Sequence, residues 1–161
     1  MNSLENLPLT VRLLCSLLAV GLAWFVDAAC KVAASASYFY RTGSFFGDPL
    51  SMGLRMEREW LFWTGFMCFI GWLTVGLCIV ALGVRAMEPP IWVTCPLAGI
   101  AGAGLMLVLL IVMDGRENVI AQPSLMISVP APAMYGYGFF IAGMSMAFYK
   151  LLVWAIGRYE S

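Results

Sequence analysis

Charge-free apolar runs separated by short charged segments make up most of this chain. Residues 60–84 and 91–113 hold no charged side chain, and only Arg85-Ala-Met-Glu-Pro-Pro90 joins them. A helix rising about 1.5 Å per residue needs roughly 20 residues to cross a ~30 Å hydrocarbon layer, and each run is longer than that. The pair Pro89-Pro90 ends one helix and suits the first turn of the next, so 60–113 reads as a membrane helical hairpin.

A third run, 13–26, follows Arg12 and reaches spanning length when extended towards Ala29. It also has the look of a signal-peptide core, with Ala34-Ser35-Ala36 as a small-x-small cleavage site. A lipoprotein box is excluded, because Asp27 stands three before Cys30 where an aliphatic residue belongs. The segment is expected to be retained as the first transmembrane helix. The last run, 133–157, carries Tyr135 and Tyr137 at one end and Trp154 at the other, as interfacial anchors do. Lys150 lies close enough to its end to snorkel outwards. Met144 and Met146, two apart on a helix, point to different sides and suit packing better than copper(I).

Between the first two spans, residues 31–59 read as a long loop. Tyr38, Phe39, Tyr40, Phe45 and Phe46 suit the headgroup region, so its first part is expected either to continue the helix or to lie in the interface. Asp48-Pro49 is a helix-start signal, an N-cap acceptor followed by proline at the first helical position. An amphipathic stem follows, with Arg55, Glu57, Arg58 and Glu59 as a charged collar and Trp60 and Trp63 at the interface beyond it. The third span is expected to close at Asp114-Gly115. The second loop, 114–132, turns apolar after Asn118 and is broken by Pro123, Pro130 and Pro132. The stretch Pro130-Ala-Pro132 favours extended backbone.

The fold class is therefore an all-α integral membrane protein. One domain, 1–161, has four spans (about 9–30, 60–85, 91–113 and 133–157) in an up-down arrangement, with the amphipathic stem before the second. Loops 31–59 and 114–132 then share one side. Composition agrees: 62% of residues are hydrophobic and 11% charged, against roughly 45–50% and 25% in soluble domains.

Nine basic and nine acidic residues cancel, and no two basic residues are adjacent, so no footprint for nucleic acid exists. The chain has no histidine, which removes histidine-ligated haem and metals and histidine base catalysis. Its five cysteines form no C-x-x-C and read as free thiols. No cofactor or metal is expected. Nor is an enzyme, whose site would rest on Asp114, Arg116 and Glu117 alone.

Two features remain as candidate sites. Asp27 and Lys31, four apart near the end of the first span, share a helix face and form a candidate intramembrane ion pair. Small residues at Gly65, Gly76, Gly83, Ala98, Gly99, Gly102, Ala103 and Gly143 are candidate helix-packing positions, because membrane helices associate through close backbone approach. The expected function is that of a non-catalytic subunit or assembly and interaction factor of a larger membrane complex, with the lipid bilayer and a membrane-protein partner or a second copy as partners. The alternative is a small transporter or channel using Asp27, Lys31 and the proline-broken loop 119–132. Basic residues divide almost evenly between the two sides and do not decide orientation. The Arg12 flank and the basic end of the last span favour cytoplasmic termini in a bacterial inner membrane.

Overall fold

The structure, a computed structural model, describes residues 8–42, 48–77, 89–114 and 130–159. All regular structure among them is helical: α1 (Leu9–Thr42), α2 (Pro49–Gly71) with a π turn (Trp72–Gly76) directly after it, α3 (Ile91–Asp114) and α4 (Pro130–Tyr159). Three helices are long and apolar enough to cross a membrane: α1, the Ile91–Leu109 part of α3 and the Met134–Ile156 part of α4.

Helix α1 has 34 residues, about 51 Å at the standard rise. It runs through 31–42, which the sequence pattern placed in the first loop. The reason is local: no glycine or proline interrupts 22–42, and Ala28, Ala29, Ala33, Ala34 and Ala36 favour helix at little entropic cost. Only a short connection then separates α1 from α2. Helix α2 starts where the Asp48-Pro49 signal places it. The Asp48 carboxylate accepts from the Ser51 N–H at 3.0 Å, and the Ser51 hydroxyl donates to the Asp48 carbonyl at 2.8 Å. Residues 49–59, assigned to the stem of that loop, are thus continuous with the apolar part of α2.

The predicted span 60–85 is not a uniform α-helix. Regular winding stops at Gly71, and in the π turn the Leu77 N–H donates to the Trp72 carbonyl, five residues back. Two side-chain bonds accompany the widening. Thr74 donates to the Ile70 carbonyl at 2.9 Å, and the Trp72 indole reaches across to the Ser16 hydroxyl on α1 at 2.9 Å. Residues 78–85 of this span lie outside the described residues, as do 119–129 of the proline-broken loop.

Helix α3 opens directly after Pro89-Pro90, whose second carbonyl accepts from the Val93 and Thr94 N–H groups at 2.9 and 3.1 Å. It carries Pro96 inside. Helix α4 begins at Pro130, so Pro130-Ala-Pro132 is helical and not extended. First-turn residues have no intrahelical acceptor for their N–H groups, and prolines there sacrifice no bond.

Packing is uneven. Helix α4 lies against α3 along most of its length, α1 packs on both α2 and α4, and among the described residues α2 has no extended interface with α3. The partners of α1 on α2 descend as α1 is climbed: Ser16 meets Trp72, Trp24 meets Thr64 and Ser35 meets Glu57. A small interior cluster of Cys15, Ala19, Tyr149 and Val153 joins α1 to α4. Most large apolar side chains point outwards, with Phe25 64%, Phe62 68%, Val112 72% and Trp92 75% exposed.

Candidate functional site

Three helices bring polar and aromatic groups together around Lys31. Helix α1 supplies Asp27 and Lys31, whose charged atoms are 3.8 Å apart. The i, i+4 spacing on one continuous helix sets this contact, and the unbroken winding of α1 past residue 30 is what provides it. Helix α2 supplies Trp60, whose ring lies 3.8 Å under the Lys31 ammonium. Helix α4 supplies Tyr137, whose ring centre is 5.0 Å from the same nitrogen. The two rings meet edge to face at 5.9 Å. The ammonium is thus bracketed by one carboxylate and two aromatic rings, contacts that offset part of the cost of withdrawing its charge from water.

Further polar contacts frame this cluster. One turn beyond Lys31, the Ser35 hydroxyl donates to the Glu57 carboxylate at 2.6 Å. One turn before Asp27, the Trp24 indole donates to the Thr64 hydroxyl at 3.2 Å, and that hydroxyl donates in turn to the Trp60 carbonyl at 2.8 Å. The Cys68 thiol and the Tyr137 hydroxyl approach at 3.8 Å. Asp27 Oδ2 is buried and accepts no hydrogen bond among the described residues, its only counter-charge there being Lys31. Trp60 and Tyr137, expected as anchors at a membrane surface, are the two walls of the lysine site. The sequence held no sign of this, because both partners of Lys31 lie far away along the chain.

The other expected anchors lie apart from the cluster. Trp63 is exposed and stacks edge-on with Phe62 and Phe66, and Trp154 is exposed near the end of α4. Tyr135 is half-buried, and its hydroxyl has no hydrogen-bond partner among the described residues. Lys150 turns to the connection before α3 and donates to the Pro89 carbonyl, pinning α4 to the start of α3.

The candidate packing residues sort by helix pair. Gly102 faces the backbone of α4: a β-carbon there would strike the Gly138 carbonyl and stand 2.6 Å from the Ala142 methyl. Gly99 lies under the Phe139 ring, with 2.7 Å left for a β-carbon, and Gly143 faces the Cys95 carbonyl at 3.3 Å. Gly65 receives the Trp24 ring on the α1–α2 contact at 3.3 Å. Gly76 faces its own helix, packing against Trp72, and Ala98 lines a cleft. Ala103 is half-buried on α3, and Gly83 lies outside the described residues. Three tight positions were absent from the candidate set, among them Gly71, whose β-carbon would meet the Leu105 side chain of α3 at 3.2 Å. A β-carbon on Gly138 would stand 2.6 Å from the Gly102 carbonyl, and one on Gly53 would meet the Val32 carbonyl at 3.0 Å. Gly53 sits in the charged stem, where a search for small residues in apolar runs does not look.

The sparse contact between α2 and α3 among the described residues leaves an apolar cleft of about 140 Å³, lined by all four helices and the π turn. Its walls run from Ser16 and Tyr149 to Tyr137 and Cys68, so its far end adjoins the lysine site.

Searches against family models, curated proteins and solved structures find no match to this chain. Among the described residues, no three cysteine, aspartate or glutamate side chains gather as a metal site requires. Cys15, Cys30, Cys68 and Cys95 are free thiols.

Proposed function

We propose that this chain is an integral membrane protein of the bacterial inner membrane, its four helices running up and down across the bilayer, and that it serves as a non-catalytic subunit or assembly factor of a larger membrane complex. The observation that carries this reading is the outward face of the helices. Within the apolar windows of α1, α3 and α4 only 22%, 17% and 17% of residues are buried inside the molecule, and the large apolar side chains left exposed on these helices include Leu14, Leu18, Phe25, Leu97, Ile100, Val108, Phe139, Phe140 and Leu151. Apolar patches of that extent require lipid or protein cover. The contacts of α1 with α2 support the alternating direction of the helices, and the Lys150–Pro89 contact lies at the end of the bundle where α3 begins. Cytoplasmic termini place Arg12, Arg85 and Lys150 inside.

Purification in mild detergent, with crosslinking in the intact membrane beforehand, tests the proposal. A defined partner or a defined homo-oligomer is the expected result. Recovery of isolated monomers after crosslinking would overturn the subunit reading.

The Lys31 site favours a second reading, a small transporter that uses Asp27 as a coupling carboxylate, because ionisable residues held between membrane helices commonly mark ion pathways. Reconstitution in vesicles separates the two readings: flux that Asp27→Asn abolishes supports transport, and flux absent from the intact protein removes it.

A further inference from the structure

The cleft between α2 and α3 has a size, a lining and a position that together define its occupant. Its volume of about 140 Å³ is close to that of the engineered apolar cavity of about 150 Å³ that takes up benzene. That is room for a slice of a chain-like hydrocarbon. A helix, about 10 Å across with its side chains, does not fit. The lining offers little to a polar guest. Ser16 spends its proton on the Leu13 carbonyl at 2.8 Å and its lone pair on the Trp72 indole, and Ser145 donates to the Ile141 carbonyl at 2.7 Å. The Trp72 N–H is used in the same bond, which leaves its ring as wall. Between these groups the surface is Gly71, Ala98, Gly102 and Leu105.

Ala101, a lining residue on α3, is exposed, so the cleft is open to the outside there, and its lining lies between the levels of Lys31 and Lys150, around the middle of α3 and α4. Under the proposed membrane reading that is the depth of the lipid tails. We infer that the cleft binds one acyl chain of a bilayer phospholipid, inserted between α2 and α3, with the lipid's polar end on the side of Tyr137 and the Asp27–Lys31 pair. The chain fills the space that a direct α2–α3 interface occupies in a closed bundle. One lipid would thus be a structural component of the molecule.

The inference rests on the membrane reading, and one experiment distinguishes their failures. The protein is reconstituted in phosphatidylethanolamine and phosphatidylglycerol vesicles doped with a phospholipid carrying a diazirine midway along one acyl chain, then photolysed and mapped by mass spectrometry. Labels are expected to concentrate on the cleft residues Met67, Leu105, Met106 and Met146 over the outward-facing Phe62 and Val112. Ala101→Phe, which places a ring at the cleft, is expected to cut cleft labelling roughly tenfold, as a loss of about 1.4 kcal/mol of binding does, while Phe62 labelling stays level. The wild-type distribution is informative even if that variant misfolds.

Even labelling of cleft and outer surface, or cleft labelling indifferent to Ala101→Phe, overturns the inference. So does an intermolecular disulfide through Ala101→Cys with the cleft unlabelled, which would assign the cleft to a second copy. Alkaline carbonate washing of the same vesicles tests the membrane reading by itself. Protein that stays in the pellet with an unlabelled cleft sinks the lipid inference alone, and protein that washes off sinks both.

Discussion

At the scale of single residues, the cluster around Lys31 gives the sharpest expectations. Its side chain is 31% exposed and that of Asp27 only 13%, so removing the cation leaves a mostly buried carboxylate with no counter-charge among the described residues. Lys31→Met is expected to destabilise the detergent-solubilised protein by about 1–3 kcal/mol, combining the lost cation–π contact with the stranded carboxylate. Lys31→Arg keeps charge and stacking and should recover most of that loss. Thermal unfolding of the two variants beside wild type checks both statements. Adding Asp27→Asn to Lys31→Met should restore part of the stability, because the neutral amide no longer needs a partner, and a double-mutant cycle with no coupling would show that the 3.8 Å pair contributes nothing. Trp60 and Tyr137 show why such a site is hard to read from sequence. An aromatic residue at the edge of an apolar run has an adequate explanation as an interfacial anchor, and nothing local reveals that a lysine from another helix lies over its face.

Individual helices are held by features of two kinds, which predict differently. Caps are local: the Asp48 carboxylate satisfies the Ser51 N–H, and Asp48→Ala is expected to cost about 1 kcal/mol, seen as lost helicity in α2 by amide exchange with the remaining helices protected. Glycine crossings are non-local. At Gly102 the α4 backbone occupies the place of a side chain, so Gly102→Leu must push α3 away from α4, with an expected loss of 1–3 kcal/mol or more, about the usual cost of overpacking. Gly104 and Gly136 have nothing within 4 Å of a β-carbon, and alanine at either should leave the melting temperature level or raise it. Equal effects at Gly102 and Gly104 would contradict the close crossing. All three of these glycines belong to apolar runs and look alike in sequence. The angular position of each on its helix separates them, and that depends on how the helices are turned against each other. The same distinction accounts for the revised boundaries. The end of α1 was obscured because aromatic and alanine-rich residues suit both a helix and an interfacial segment, and the start of α4 because proline favours extended backbone everywhere except in a first turn.

For the whole molecule, the ends of the helices decide what can be measured. Under the proposed up-down arrangement with cytoplasmic termini, reporter insertions near positions 45 and 120 fall on one side and those near 87 and at the C-terminus on the other, so a reporter active only inside the cytoplasm should respond at 87 and at the C-terminus alone. Activity at all four sites would break the four-span topology, and the reverse pattern would invert the orientation. The bundle is also asymmetric in a way no hydropathy profile shows. Helix α1, long and apolar, is the shared wall for α2 and α4, while α3 depends on α4. Substitutions in the Cys15–Tyr149 cluster are therefore expected to unfold the bundle cooperatively, whereas loosening the α3–α4 crossing should release α3 first.

Whatever depends on neighbours within a turn or two of the chain was determined by the sequence itself: apolar runs of spanning length, the Asp48 cap, the start of α3 behind its two prolines, and the i, i+4 pair of Asp27 and Lys31. Backbone hydrogen bonding in a helix is local, and so are its starting signals and its apolar length. The tertiary structure alone decided that Lys31 lies between Trp60 and Tyr137, that Gly102 and not Gly104 touches α4, and that α2 and α3 stand apart around a cleft. Those outcomes depend on the rotation and spacing of whole helices, which side-chain packing sets across long sequence separations, and no window of neighbouring residues contains them.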